Sequence, residues 1–200
     1  NERFSTGLIP TGWSVSAIAG DGWRFNGTPG YNTGSQNGRP SGTYAWIDFS
    51  STDTATVLQV KTLTIPTERP SEIRLSFDYW SDHAGSGSDS YPANQLYVEI
   101  ADGNGLNWQT IASYTTYTDG WETKTVNFQH TNNNNQVYIR FRGESGGSSR
   151  DYYNDILLDN VVVLNETTGT TINGSTLTLD SNDIVTTLWT PVLLFESVVY

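Results

Sequence analysis

The 200-residue sequence contains no cysteine and no methionine. The first absence excludes disulfides, thiolate zinc sites and cysteine nucleophiles. Secreted eukaryotic modules of this kind usually carry disulfides, so a cysteine-free chain points to a bacterial, archaeal or viral source. The second absence removes the initiator, and a chain opening at Asn1 reads as a mature or excised product whose signal peptide is gone. Basic residues are scarce: 10 Lys and Arg stand against 21 Asp and Glu, a formal charge of −11. That balance cannot neutralise phosphates, which argues against nucleic acid, and it disfavours docking on anionic lipid. No apolar run approaches the roughly 18–20 residues of a membrane span, so membrane insertion is not expected. Only His83 and His130 are present, and no His-Glu-x-x-His occurs, so neither a triad nor a histidine metal site is in view. A glycosidase needs two carboxylates across a cleft, and the sequence singles out no such pair. The expected role is non-enzymatic.

What the chain does have is strand signal. Hydrophobic residues make up 36% and aromatics 12%, enough for a packed core. Residues 1–43 are punctuated by glycine around Trp13 and Trp23, which excludes a long helix. From Tyr44 a period of two takes over. Ala45, Ile47 and Phe49 share one face. Ile73, Leu75, Phe77 and Tyr79 alternate with Arg74, Ser76, Asp78 and Trp80. Leu96, Val98 and Ile100 alternate with Tyr97 and Glu99, and Val137, Ile139 and Phe141 with Tyr138, Arg140 and Arg142. Such alternation marks half-buried strands. Asp102-Gly103-Asn104-Gly105 and Asp119-Gly120 carry turn chemistry, and Asn132–Asn135 is a polar tip. Strands at this spacing predict an all-β, two-sheet antiparallel sandwich.

The last clear strand, Ile156 to Val163, sets Asp159 between Leu158 and Val161. A carboxylate among aliphatic residues needs a partner, either backbone at a strand edge or a cation. Beyond Leu164 the composition shifts. Residues 165–175 read as a linker rich in Thr, Asn and Gly, and residues 184–200 are apolar to the end. The sequence therefore divides into a domain at 1–164 and an extension at 165–200. The extension is expected to be strand-rich, packed on its own sheet, packed on a neighbouring copy, or part of a further domain cut short here. Exchanged between subunits, with Val192, Leu194, Val198 and Tyr200 inserted, it would build a filament or a virion. The partner would then be the chain itself or other surface proteins.

The aromatic residues admit a second role. Trp80 and Tyr97 fall on the polar phase of their strands, and with Trp121 they are candidates for a stacking platform for glycans, against the plainer reading of core packing. Three N-x-[ST] triplets place candidate glycosylation at Asn26, Asn165 and Asn173.

Four motifs in order resemble MAM-type domains and the bacterial choice-of-anchor and cleaved-adhesin jelly rolls. They are Phe4 with Ile9-Pro10-Thr11-Gly12-Trp13, the strand Gly42-Thr43-Tyr44-Ala45-Trp46-Ile47-Asp48-Phe49-Ser50, the strand Leu75-Ser76-Phe77-Asp78-Tyr79, and the pair Ile139–Glu144 and Asp155–Val161. The resemblance covers residues 1–164. It implies a jelly roll acting as an extracellular adhesion or recognition module at a cell or virion surface, often stabilised by calcium. Calcium takes six to eight oxygen ligands. The candidates are Asp159, Asp48, Glu2 and Asp21. Their plainer readings are a strand-edge cap, an outward strand residue, a frayed terminus and a turn. The family places an acidic residue directly after the opening Phe, where this chain has Ser5, and Glu2 is the substitute.

Overall fold

The structure is a computed structural model and describes residues 2–17, 22–26, 42–49, 55–64, 71–82, 91–102, 105, 107–130, 136–147, 151–172 and 175–180; for 55–64, 71, 102 and residues beyond 164 the description is of the backbone. Among the described residues, ten strands follow one another: β1 (Trp13–Ala17), β2 (Ala45–Ile47), β3 (Ala55–Thr64), β4 (Ser71–Ser81), β5 (Gln95–Asp102), β6 (Trp108–Tyr114), β7 (Glu122–His130), β8 (Gln136–Glu144), β9 (Ile156–Ile172) and β10 (Ser175–Asp180). One turn of 3₁₀ helix spans Asp151–Tyr153. The strands form two antiparallel sheets, β1-β3-β8-β5-β6 and β10-β9-β4-β7, with β2 added to β9. This is the two-sheet antiparallel sandwich that the alternation predicts, in the jelly-roll form that the resemblance implies.

The phase of each strand decides its burial. Ile73, Leu75, Phe77 and Tyr79 of β4 meet Leu96 and Val98 of β5 and Val137, Ile139 and Phe141 of β8, all buried in one core. Phe77 stands edge-on to Phe141 with ring centroids 5.1 Å apart, an arrangement aromatic rings favour. Gly143 marks a close approach between the sheets. A β-carbon there would collide with Ile47 Cδ1 from the opposite sheet.

The edge of β9 facing away from β4 is filled by three short pieces in turn. β2 pairs with Ile156–Leu158. Glu2 then exchanges two backbone hydrogen bonds of 2.8 Å with Val161. β10 pairs with the stretch from Glu166 to Ile172. The opening residues are thus tied down. Glu2 Oε1 accepts the N–H groups of Arg3 and Phe4, and Phe4 turns at φ 47° into the core against Trp13 and Phe25.

One feature corrects the sequence reading, and a second bears on the placements it left open. The stretch 165–172 is not a linker: β9 runs unbroken through it, with Ile73↔Asn165 and Glu72↔Glu166 continuing the ladder to β4. Its Thr-rich composition suits a strand better than a tether. The extension also begins on the chain's own sheet, because β10 pairs with β9. Residues 184–200, which include Val192, Leu194, Val198 and Tyr200, lie outside the described residues.

Candidate functional site

Two places gather chemistry. The first is a cleft of about 260 Å³ on the outer side of the β9-β4-β7 sheet, lined by Gly42, Thr43, Tyr44, Asp78, Trp121, Asp159 and Asn160. The ladder between β4 and β9 slips after Ser76, so that Asp78 stands directly opposite Asp159. Asn160, at φ 48°, takes up the extra residue. Asparagine tolerates this left-handed conformation better than most residues. The bulge turns the Asn160 amide toward β4, where its Nδ2 donates to Asp78 Oδ2 at 2.6 Å. Thr123 Oγ1 donates to Asp78 Oδ1, also at 2.6 Å.

Asp78 is thereby satisfied on both oxygens, whereas Asp159 is not. Its Oδ1 is buried with no hydrogen-bond partner among the described residues. Burial pushes its carboxyl from the ordinary 3.8 up to about 6, and the Asp78 and Glu2 charges add to the rise. The Asn160 backbone N–H and the Arg3 charge oppose it. Like charges placed opposite across a ladder repel.

Of the four metal candidates, the fold brings Asp159 and Glu2 together. Asp48 lies elsewhere, 3.4 Å from Arg24 Nη1, and Arg24 in turn lies over the Trp46 ring. Asp21 falls outside the described residues. Asp78, not among the four, belongs to the group. Among the described residues, no three His, Cys, Asp or Glu side chains are placed to hold a metal ion.

The aromatic candidates separate. Trp80 is 3% exposed, packed with Tyr44, Trp46, Leu157 and Trp121 in a small second core on the outer face of the sheet. It presents no free ring, and this overturns its reading as a stacking platform. β2 supplies the cover: Tyr44 and Trp46 come from a segment that pairs with β9 well away from β4 in sequence. Trp121 is partly exposed and forms a wall of the cleft, edge-on to Tyr44 at 5.7 Å.

Tyr97 lies on the other sheet and leads to the second place. The solvent face of β6-β5-β8 carries Trp108, Tyr97, Glu99, Arg140 and Arg142. Arg140 lies over the Trp108 ring, 4.0 Å from its centre, and Arg142 over Tyr97 at 4.2 Å. Such contacts pair a cation with the negative face of a ring. Glu99, 5% exposed, sits between the stacks. It accepts from Arg140 Nε at 2.5 Å, from Arg142 Nε at 3.3 Å and from Thr110 Oγ1 at 3.2 Å. Arg142 Nη1 also donates to Glu144. Arg140 and Arg142 stand out in the sequence as cations on the polar phase of β8. Their pairing with Glu99, 41 and 43 residues distant, depends on register and is not legible there.

For catalysis, the spacing Gly-x-Ser-x-Gly does occur at Gly143-Glu144-Ser145-Gly146-Gly147. A nucleophile elbow needs a strand-to-helix turn with a histidine at the serine. Here β8 ends in a loop, and Ser145 Oγ donates to Asp151 and accepts the Gly147 N–H. No histidine partners it among the described residues. Of the glycosylation candidates, Asn26 is exposed, Asn165 is paired within β9, and Asn173 lies outside the described residues.

The fold is a two-sheet jelly roll. The chain resembles the K3 cleaved adhesin domain of Lys-gingipain from Porphyromonas gingivalis, with a TM-score of 0.55 and 21% identity over 82% of this chain and 96% of that one. It also resembles the enzymatically active domain of tailspike protein 4 of bacteriophage CBA120, with a TM-score of 0.52, 13% identity and coverage of 82% and 20%. A third likeness is to a cyclase from Fischerella sp. TAU, with a TM-score of 0.51, 16% identity and coverage of 82% and 92%. At these identities the likeness is one of fold. No family model matches the sequence, and no curated protein matches it.

Proposed function

We propose that this protein is a non-enzymatic, extracellular adhesion module that recognises carbohydrate on the solvent face of β6-β5-β8. The observation that carries the reading is the ordered array of Trp108, Tyr97, Arg140, Arg142 and Glu99 on three paired strands. Sugar recognition requires apolar surface beside fixed polar groups, and here partly exposed rings stand beside the guanidinium groups that each cover one of their faces. Strand pairing and Glu99 hold both in place before any ligand arrives, which lowers the ordering cost of binding. The shared fold with a cleaved adhesin domain supports the same reading. A glycan array probed with the wild type and with a Trp108→Ala/Tyr97→Ala double variant tests it. Retention of defined glycans by the wild type and loss in a folded double variant is expected. No retention by the wild type refutes it.

A second reading places a calcium ion at Asp159, and the unpaired Oδ1 favours it. The fit is incomplete. Asp78 has both oxygens engaged and Glu2 Oε1 accepts two backbone N–H groups, so the described side chains offer one free carboxylate rather than a shell. A calcium-dependent rise in melting temperature that disappears in Asp159→Asn supports this reading. Filament assembly through residues 184–200 is a finer proposal, supported by the apolar sequence there.

A further inference from the structure

We propose that the ligand of this face carries a carboxylate, and that Arg140 is the residue that reads it; the inference rests on the glycan reading above. The two stacked arginines are not equivalent. Arg142 gives Nε to Glu99 and Nη1 to Glu144, so both ends of its guanidinium are engaged. Arg140 gives only Nε to Glu99. Its two Nη groups have no partner among the described residues.

The guanidinium is held all the same. Trp108 backs its plane, and the buried Glu99 fixes the Nε edge, which leaves the pair of Nη groups, unpartnered among the described residues, as the edge offered to a ligand. The side chain is 21% exposed, so part of it is within reach of a ligand. Two roughly parallel N–H groups at fixed separation match the two oxygens of a carboxylate, and charged hydrogen bonds of this kind are among the strongest. Arg140 also covers one face of Trp108. That ring is less available for stacking by a neutral sugar, and the guanidinium edge becomes the feature presented.

Bulk charge does not account for the preference. The chain carries −11, and on this face Glu99 and Glu144 balance Arg140 and Arg142. Selection by Arg140 is therefore a matter of short-range geometry rather than of steering. The ligand class is an acidic saccharide, in which a ring carboxylate sits beside hydroxyls.

The test uses the whole chain and matched probes: an oligogalacturonate, its fully methyl-esterified form, and poly-glutamate. We expect the uronate to bind at least tenfold more tightly than the ester. Arg140→Lys, which keeps the charge and loses the fork, should erase most of that ratio. Equal binding of acid and ester overturns the inference and leaves the glycan reading standing. An unchanged acid preference in Arg140→Lys overturns the role of Arg140. Poly-glutamate binding as tightly as the uronate, or no binding of either saccharide, overturns the glycan reading and this inference with it.

Discussion

Replacing Asp159 by asparagine is expected to stabilise the protein at neutral pH when no metal is present. The wild-type carboxyl titrates near 6 in the folded chain, against 3.8 as its ordinary value. Between those values the folded state holds the proton more tightly than the unfolded one. Asp159 therefore favours folding most below about pH 3.8, and that contribution is lost as the pH rises through about 6. A shift of this size corresponds to a ceiling of about 3 kcal/mol. Asp159 is only half-buried, and solvent screening brings the expected effect down to about 1 kcal/mol. Asparagine keeps an acceptor for the Asn160 N–H and removes the repulsion from Asp78 and Glu2. Urea denaturation of both proteins in EDTA, at intervals from pH 4 to pH 8, reads the difference directly. The variant should gain on the wild type as the pH rises, by about 1 kcal/mol at pH 7.5. A variant that is less stable than the wild type at pH 7.5 in EDTA, or a difference that ignores pH, refutes the argument.

Other outcomes follow from packing. Gly146→Ala would bring a β-carbon to 2.5 Å from the Ala93 carbonyl oxygen, a backbone atom that cannot step aside. A loss of about 1–3 kcal/mol in denaturant stability is expected. Asn154→Ala removes an acceptor from the Asn94 N–H and a donor from Ser81 in a buried network that joins β4 to the loop before β9. It should cost about 2 kcal/mol or more and speed hydrogen exchange at Asn94. If residues 184–200 drive assembly, a chain ending at Asp180 should stay monomeric in electron micrographs where the full chain forms filaments. This truncation spares β10, which a cut within 165–175 would not.

Much of the fold is written in alternation. The inward sets of β4, β5 and β8 are legible as Ile73-Leu75-Phe77-Tyr79, Leu96-Val98 and Val137-Ile139-Phe141, because burial on one face leaves a period of two whatever the strand order. The candidate site is less legible, for three physical reasons. The juxtaposition of Asp78 and Asp159 depends on a bulge at Asn160, and no periodicity announces a one-residue slip. Trp80 keeps the polar phase of β4 yet is buried, because β2 folds Tyr44 and Trp46 over it. The arginine stacks depend on cross-strand register between β8, β5 and β6, which is set by the whole sheet. The Thr-rich segment at 165–172 misleads in the opposite sense. Its Asn and Gly suggest a tether, but β4 pairs with it at Asn165 and Glu166 and β10 from Glu166 to Ile172.

The most direct test of the central claim is an amide-resolved NMR titration of the whole chain with a glycan retained on the array. The account predicts that shifts cluster on β5, β6 and β8 around Tyr97, Trp108 and Arg140, with the cleft at Asp159 and Trp121 unmoved. Shifts confined to that cleft, or to neither place, would contradict it.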